Sequence, residues 1–309
     1  MAFVKAVREQ VNSKVIIVSP SGGGKTQSLL ELATGLSRKT GSRIAFIGTE
    51  GDRDKLYAGK KSPHGDYYYD YDLLQLDEFS PESYIAAIDE AIDSGYKVII
   101  IDGLAQEWKF INDLHDKMPG NSFTNWGKLK PRHHKLNEKI LTAPAHILCS
   151  ARGKDEWVLE EKNGKQVPKK VGLGSQTDKD ITYEVMLSLQ IDQDTHVAHA
   201  DKDNTGLWGM DRYSVINAKD GEALFDWCDT GVAPTPKAPT IKKSVDITMD
   251  DEETIATYKK QITEKITELG GQKNEDIMSY FKSHGNYNSF KDIDKLKQYY
   301  EDICNIKGI

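Results

Sequence analysis

The stretch KVIIVSPSGGGKT (14–26) joins a run of β-branched residues to three consecutive glycines, a lysine and a threonine. An apolar run of this length is typical of a buried strand, and the periodic QSLLELATGL that follows (27–36) predicts a helix. Glycines lack a Cβ and let backbone N–H groups turn toward an anion, to which the next helix presents its positive N-terminus. The stretch therefore predicts a strand, a phosphate-binding loop and a helix.

The loop nearly fits the pattern G-x-x-x-x-G-K-[ST], with Ser19 in place of the first glycine. Because Ser19 is small and stands at a turn, we expect the change to cost little. In such a loop Lys25 reaches the terminal phosphates of a nucleoside triphosphate and the hydroxyl of Thr26 ligates Mg²⁺. The residues expected to contact ATP and Mg²⁺ are Ser21, Gly22, Gly23, Gly24, Lys25, Thr26 and Gln27.

The predicted fold class is α/β, with a mostly parallel sheet flanked by helices. Four apolar runs of strand length alternate with helical patterns: KVIIVS (14–19), RIAFIGTE (43–50), KVIIIDG (97–103) and AHILCSA (145–151). Such alternation places parallel strands side by side with the helices on the two faces of the sheet. Further along, Asn163-Gly164 predicts a β-hairpin, residues 184–192 and 195–203 predict two antiparallel strands, and residues 122–142 predict a helix that Pro131 bends or starts.

The domain organisation follows from changes in composition. Residues 1–228 are predicted to form the core, the proline-containing residues 229–250 a linker, and residues 251–309 a small module of amphipathic helices. The net charge of −7 excludes a wholly basic nucleic-acid binder but leaves room for local basic loops, and three scattered cysteines suggest neither a disulfide framework nor a zinc knuckle. No apolar run reaches the length of a membrane helix, so we expect no membrane partner and a cytoplasmic location, in a bacterial host if the gene belongs to a phage.

Carboxylates at the ends of predicted strands are the candidates for metal binding and catalysis. Asp102 ends the strand VIIID and fits the role of the acidic residue that supports the magnesium site. Glu50 ends another strand, where it could activate the water that attacks the γ-phosphate or could cap the helix that begins near Asp52. Glu107 is the rival base, in a predicted loop beyond the strand of Asp102.

Several longer stretches carry a family resemblance: IAFIGTEGDRDKLYAG (44–59), IIIDGLAQEW (99–108), NWGKLKPRHHKLNEKIL (125–141), ILCSARGKDEWVLEEKNGKQVPKKVG (147–172) and HADKDNTGLW (199–208). The chain resembles the RecA-like P-loop ATPases, and within them the phage and prophage AAA-family ATPases that include the Sak-type single-strand annealing proteins. The resemblance implies a DNA-dependent ATPase that assembles as a homo-oligomer, ring or filament, and acts on single-stranded DNA in recombination or replication.

The resemblance also implies roles at the γ-phosphate. Lys202 matches a cation that crosses a subunit interface to a neighbour's γ-phosphate in such enzymes, or it is a solvated turn lysine. Family members usually carry arginine where this chain has Asn204, which weakens the expected contribution across the interface. Ser150 and Arg152 match the position of a polar γ-phosphate sensor, with a surface ion pair as the alternative for Arg152.

Two loops correspond to the single-stranded DNA contacts of the resembled family. The first follows Asp102 and carries Trp108 and Lys109. The second is the hairpin at 163–164, where residues 151–172 hold six basic and four acidic side chains. Basic groups with an aromatic suit backbone neutralisation and base stacking, but a solvated hairpin that packs on a neighbouring subunit is an open alternative. The candidate DNA residues there are Lys154, Trp157, Lys162, Lys165, Lys169 and Lys170.

Two other functions remain open. One is a slow nucleotide-dependent switch or scaffold that recruits a single-strand-binding or other replication or recombination protein through the C-terminal module without itself binding DNA. The other is a phosphotransferase acting on a small molecule, which the absence of a lid-like arginine cluster disfavours.

Overall fold

The structure is a computed structural model that describes residues 3, 5–162, 165–175, 179–209, 211–233, 249–269, 274–290 and 293–306. For residues 154–175, 179–180, 249–254, 256–257, 275 and 293–294 it describes the backbone alone. The chain divides into two compact units, Met1–Thr235 and Pro236–Ile309. The sheet and the phosphate-binding loop lie in the first unit.

The described elements of the first unit alternate in the order expected of an α/β protein. The strands are β1 Lys14–Ser19, β2 Ile44–Gly48, β3 Asp72–Gln75, β4 Val98–Asp102, β5 His146–Lys162, β6 Lys165–Ser175, β7 Leu187–Ile191 and β8 Ala198–Asp203. The helices are α1 Lys25–Thr40, α2 Pro81–Asp93, α3 Ala105–Lys117, α4 Ser122–Thr142, α5 Lys179–Glu184 and α6 Ala218–Cys228.

The sheet has the strand order β3-β2-β4-β5-β1-β7-β8, and β6 pairs with β5 outside this path. In this order the strands from β3 to β7 all run parallel to their neighbours, whereas the edge strand β8 runs antiparallel to β7. Alternate residues of the central strands face two separate apolar cores, one containing Val15 and Ile17 and the other Ile16 and Val18. Burial on both faces explains why these strands are continuous β-branched runs, and it confirms the predicted α/β class.

Strand β5 is much longer than the apolar run that predicts it. Residues 146–152 lie in the sheet, and the strand continues from Gly153 into an antiparallel hairpin with β6 that closes with Lys162 opposite Lys165. The hairpin prediction is therefore confirmed, although Asn163 and Gly164 themselves lie outside the described residues. The charged residues after Arg152 gave no periodic signal that a strand would continue.

One predicted helix is present and one segment differs from its prediction. Helix α4 spans the predicted residues 122–142 with Pro131 inside it rather than at its start, and Asn121, ten residues earlier, caps the helix by accepting a hydrogen bond from the N–H of Phe123. The segment after Asp102, predicted to be a loop, is helix α3, which begins only three residues beyond the strand. Its apolar residues Leu104 and Ile111 are buried, which explains why the segment folds as a helix.

The second unit contains three described amphipathic helices: α7 Met249–Glu268, α8 Glu275–His284 and α9 Ile293–Cys304. Their apolar faces share a small core that includes Ile262, Ile277, Leu296 and Ile303. The helical character predicted for this part of the chain is therefore confirmed. Of the predicted linker, residues 234–248 lie outside the described residues, whereas Val232 pairs through its backbone with Arg8 and Gln10. Across the described chain, none of the helices combines the length and the apolar character needed to span a membrane.

Helices α1 and α6 cross at two glycines, and this close contact fixes the helix that follows the phosphate-binding loop. A Cβ on Gly35 would lie 2.0 Å from the carbonyl oxygen of Ala218, and a Cβ on Gly221 would lie 2.1 Å from that of Leu32. Both obstacles are backbone atoms within helices, so neither can move without displacing a helix. The two helices can approach this closely only because both positions are glycine.

We expect Gly221→Ala to lower the free energy of unfolding by about 3 kcal/mol, because the added methyl group forces α1 and α6 apart. The matched control is Gly127→Ala on helix α4, where an added Cβ would meet no described atom within 4 Å other than those of its chain neighbours and of the helix's own backbone. That change should stabilise the protein by about 0.5–1 kcal/mol through helix propensity. Urea denaturation followed by tryptophan fluorescence measures both, and equal stability of the two variants would contradict the close-contact explanation.

Candidate nucleotide-binding site

The phosphate-binding loop lies between β1 and α1, as its sequence predicts. Gly22 and Gly24 have φ of 83° and 85°, in the left-handed region that residues with a Cβ rarely adopt. A Cβ on Gly23 would lie 1.8 Å from the Oγ of Ser19. Ser19 is fully buried, and its Oγ has no hydrogen-bond partner among the described residues. The serine that replaces the first glycine of the motif is therefore accommodated because glycine stands at position 23.

Lys25 folds back onto its own loop. Its Nζ donates hydrogen bonds to the carbonyl oxygens of Ser19 at 3.0 Å and Pro20 at 2.8 Å. Burial lowers the pKa of Lys25, while the nearby carboxylate of Asp102 acts in the opposite direction. The ammonium group is thus held at the loop by two neutral acceptors, which anionic phosphate oxygens can replace with stronger charge-assisted bonds.

Asp102 is the centre of a polar network that joins three elements. Its Oδ2 accepts a hydrogen bond from the Oγ1 of Thr26 at 2.6 Å, and its Oδ1 accepts one from the Oγ of Ser150. Thr49 also bonds to its backbone, since the Oγ1 of Thr49 lies 3.0 Å from the carbonyl oxygen of Asp102. A hydroxyl and a carboxylate side by side are the hard oxygen donors that Mg²⁺ prefers, and they sit beside the loop that would hold the phosphates. The residues therefore fit a magnesium ion.

Glu50 faces the same cleft from the end of β2. It occupies the N-cap position of a short 3₁₀ helix, Gly51–Lys55, but its side chain makes no capping hydrogen bond. The carboxylate is 33% exposed and lies 3.3 Å from a guanidinium nitrogen of Arg53. The backbone N–H of Glu50 donates instead to the carboxylate of Asp54 at 3.1 Å, and burial raises the pKa of Asp54. Asp54 thus holds the Glu50 backbone, while the Glu50 carboxylate lines the cleft beside the guanidinium of Arg53.

Glu107 lies in helix α3 rather than in the predicted loop. Its side chain is fully buried, and the Nδ1 of His133 lies 2.9 Å from its Oε2. On the other side of the imidazole, the Nδ2 of Asn137 lies 3.0 Å from the Nε2 of His133. This buried network links α3 to α4, and Glu107 does not line the cleft.

One cleft of about 1040 Å³ brings most of the predicted residues together. Those that line it are Ser21, Gly22, Gly24, Lys25, Thr26, Gln27, Glu50, Asp102, Trp108, Lys109, Ser150 and Arg152. Gly23 stands in the loop without lining the cleft. The carboxyl ends of β1, β2 and β4 meet here beside residues 150–152 of β5, at the edge where open α/β sheets bind ligands.

Two of the residues proposed for DNA contacts, Trp108 and Lys109, line this cleft, whereas Lys202, proposed for a trans contact, does not. Trp108 and Lys109 lie on helix α3, where the Trp108 ring stacks on that of Trp126 with centroids 6.0 Å apart. Lys202 lies on β8, outside the cleft, and its Nζ donates to the carbonyl oxygen of Tyr183. The candidate side chains of the hairpin, from Lys154 to Lys170, lie outside the described side chains.

Several residues of the cleft have no motif that could identify them from sequence. Arg53 lines it beside Glu50, and Pro63 and His64 reach it from a segment that precedes β3. Residues 195–196, predicted to begin a strand, belong instead to the turn before β8, and both line the cleft.

A glycine-rich loop between a buried strand and a helix, with its lysine, threonine and strand-end aspartate in one cleft, defines a P-loop nucleotide-binding protein. The sequence profile of a family described as an AAA domain matches residues 11–224. The chain belongs to this AAA-domain family and is by class a P-loop ATPase.

Comparison with curated proteins gives no match. Among solved structures, the chain is similar to a KaiC-like protein from the hyperthermophilic archaeon Pyrococcus horikoshii OT3. The two are 11% identical with a TM-score of 0.36, over 64% of this chain and 89% of that one.

Proposed function

We propose that the protein binds and hydrolyses Mg-ATP, assembles with copies of itself, and acts on single-stranded DNA in recombination or replication, as the phage-type ATPases that it resembles do. The observation that carries the ATPase part of the proposal is the network Thr26–Asp102–Ser150 at the phosphate-binding loop, with the carboxylate of Glu50 lining the same cleft. These groups would supply phosphate binding, metal support and a base at one place.

The roles of the side chains follow from their positions. Thr26 and Asp102 would hold Mg²⁺, which supplies positive charge to the terminal phosphates when it is bound. Lys25 would exchange its two loop carbonyls for phosphate oxygens. Glu50 would accept the proton of the attacking water, and the guanidinium of Arg152 would contact the transferred phosphoryl group.

The continuity of β5 supports the DNA part of the proposal. The same strand holds Ser150 against Asp102 and then extends, without interruption, into the hairpin with β6. A change in the hydrogen bonding of Asp102 on nucleotide binding can therefore act on the basic hairpin through one strand. The placement of Lys202 on β8, away from its own cleft, is compatible with a contact to a neighbouring subunit.

We expect labelled single-stranded DNA to bind in the presence of a non-hydrolysable ATP analogue, with an affinity that falls as salt rises. Lys169→Glu with Lys170→Glu should weaken binding and reduce the slope of log K against log salt by about 1.4, since each phosphate contact to a single strand contributes about 0.7. The matched control is Lys128→Glu with Lys130→Glu on helix α4, both exposed. Fluorescence anisotropy at several salt concentrations measures all three proteins.

One outcome of this DNA-binding experiment favours the second candidate function, a nucleotide-dependent switch or scaffold. If the protein binds the ATP analogue but no single-stranded DNA even at low salt, the proposal of DNA binding fails and the nucleotide-dependent switch or scaffold replaces it. The three-helix unit with its own core supports that alternative, because it is a separate body that a partner could contact.

A further inference from the structure

The cleft is lined by more than the phosphate-binding loop. Its lining also includes Pro63 and His64, Thr195 and His196, and the aliphatic pair Val215 and Ile216. We call this lining, which is remote in sequence from the loop, the far part of the cleft, and none of these six side chains is acidic. A proline ring, aliphatic side chains and two imidazoles are better suited to contact a flat, mostly apolar ligand with polar edges than to contact phosphate. Two segments form the walls, and each is tied to the loop or to the helix that follows it.

The first wall is the strap, residues 59–69, which forms a small hairpin before β3. The N–H of Gly59 donates to the carbonyl oxygen of Tyr69 at 2.9 Å, and the N–H of Ser62 donates to that of Tyr67 at 2.8 Å. The Oγ of Ser62 accepts from the N–H of His64 at 3.0 Å, which fixes the tip of the hairpin. His64 therefore reaches the cleft from an ordered segment.

Glu31 of helix α1 anchors the strap. Its carboxylate is 0% exposed and accepts hydrogen bonds from Ser62 at 2.6 Å, from Tyr69 at 2.5 Å and from Tyr67. Burial raises the pKa of both tyrosine hydroxyls, and the hydrogen bonds to Glu31 act in the same direction, so both remain donors. Glu31 lies six residues after Lys25, or about 9 Å along α1. The helix that begins at the phosphate site therefore also fixes the position of the strap.

The second wall is the turn between β7 and β8, residues 192–197. The Nε2 of Gln193 donates to the carbonyl oxygen of Ser21 at 3.0 Å, which ties the turn to the phosphate-binding loop. His196 has a φ of 56°, a left-handed conformation uncommon for residues other than glycine, and Asp192 stabilises the turn by accepting from the N–H of Thr195 at 2.9 Å. In this conformation the Nδ1 of His196 would lie 3.2 Å from a Cβ on Gly24.

Both imidazoles are exposed at the cleft, and neither has a side-chain hydrogen bond or ion pair within the described parts of the chain. His196 is exposed and left-handed beside the phosphate-binding loop, so its side chain has no role in packing the core. It can serve a ligand that continues from the phosphates into the far part of the cleft.

We infer that the strap and the β7–β8 turn form the base subsite of the nucleotide, with His64 and His196 contacting the nucleobase from the two walls. This inference rests on the proposed nucleotide-binding function. Glu31 is a positioning residue here, because its three hydroxyl donors satisfy its carboxylate and it acts through the strap.

The test compares a nucleotide with a ligand that has the phosphates but no base. ATP and inorganic tripolyphosphate are titrated, each with Mg²⁺, into the full-length protein and its variants by calorimetry. His64→Ala and His196→Gly should each weaken ATP binding about tenfold by loss of base contacts, and should leave tripolyphosphate binding unchanged. Glycine is chosen at position 196 because it adopts the left-handed conformation without strain.

The strap has its own matched pair of variants. Tyr67→Phe removes one donor to Glu31 and should weaken ATP binding about threefold without an effect on tripolyphosphate. Tyr68→Phe changes the neighbouring tyrosine, whose side chain is 62% exposed, and should change neither affinity. A thermal melt of each variant identifies any that fails to fold.

The outcomes separate this inference from the proposed function. If the unmodified protein binds neither ligand, the nucleotide-binding proposal itself fails. If it binds both, but His64→Ala and His196→Gly retain its ATP affinity within about twofold, the base subsite lies elsewhere and the inference is overturned. An equal loss of affinity for ATP and for tripolyphosphate in the two variants would also overturn the inference, because the histidines would then contact the phosphates rather than the base.

Discussion

Replacing Glu50 with glutamine is expected to lower the rate of ATP hydrolysis at least about 100-fold and to leave ATP affinity within about twofold of its original value. The carboxylate faces the cleft and makes no capping bond, so it is available to take a proton from water. An amide of the same shape cannot accept that proton, and loss of a positioned general base costs about 10²–10⁴-fold. Nucleotide affinity should persist because Glu50 is not expected to contact the phosphates directly.

The measurement is single-turnover hydrolysis at saturating ATP, with affinity measured separately by calorimetry. Glu107→Gln is the comparison variant, because Glu107 was the rival base and lies fully buried against His133. It should lower the free energy of unfolding, since it breaks a buried hydrogen-bonded pair, and should not abolish turnover in the fraction that folds. Unchanged turnover in Glu50→Gln, or complete loss in folded Glu107→Gln, would transfer the role of base away from Glu50.

Arg53 is a charged residue that lies next to the candidate base Glu50. Its guanidinium lies 3.3 Å from the Glu50 carboxylate, and both side chains are partly exposed at the cleft. An exposed pair of this kind contributes little to stability. We therefore expect Arg53 to influence the carboxylate of Glu50 in the cleft more than it influences the stability of the fold.

The core fold could be predicted from sequence because its signals are local. A strand covered on both faces needs apolar residues at every position, so β1 and β4 are visible as continuous runs. The carboxyl ends of parallel strands meet at one edge of the sheet, so the sequence places Asp102 and Glu50 beside the phosphate-binding loop. The loop residues are predicted from their motif, and the two acidic residues from their positions at the ends of predicted strands.

The segment after Asp102 shows where local signals were misread. Leu104, Trp108 and Ile111 have helical spacing, but the resemblance to enzymes with a DNA-contacting loop at this position favoured a loop. In the structure helix α3 places Trp108 and Lys109 on the nucleotide cleft. An aromatic near a strand end thus indicates proximity to the site, and does not by itself indicate which ligand it contacts.

The far part of the cleft could not be predicted, because it depends on contacts between distant residues. Glu31 pairs with hydroxyl groups that lie 31, 36 and 38 positions away in sequence. Such pairs have no sequence period, and the helical pattern of α1 gives no sign that its single glutamate is buried. Similarly, the left-handed conformation of His196 results from the tight turn that joins β7 and β8, whose exact ends a propensity pattern does not define.

Lys25→Ala is expected to weaken the binding of Mg-ATP about 150-fold. The ammonium group is held at the loop by the carbonyl oxygens of Ser19 and Pro20, and binding exchanges these neutral acceptors for charged phosphate oxygens. Loss of a hydrogen bond to a charged group costs about 1.5–3 kcal/mol, and the upper value corresponds to this change in affinity. Lys39→Ala is the matched control, because Lys39 lies at the other end of the same helix and pairs with Asp226 at 2.7 Å.

Thermal and chemical denaturation with and without ligand measure this prediction directly. At an ATP concentration 100 times the dissociation constant of the unmodified protein, binding should add about 2.7 kcal/mol to its free energy of unfolding and only about 0.3 kcal/mol to that of Lys25→Ala. Lys39→Ala should gain as much as the unmodified protein. Equal stabilisation of all three proteins would mean that the ammonium remains on its loop carbonyls in the bound state, and that backbone N–H groups of the glycine loop hold the phosphates without it.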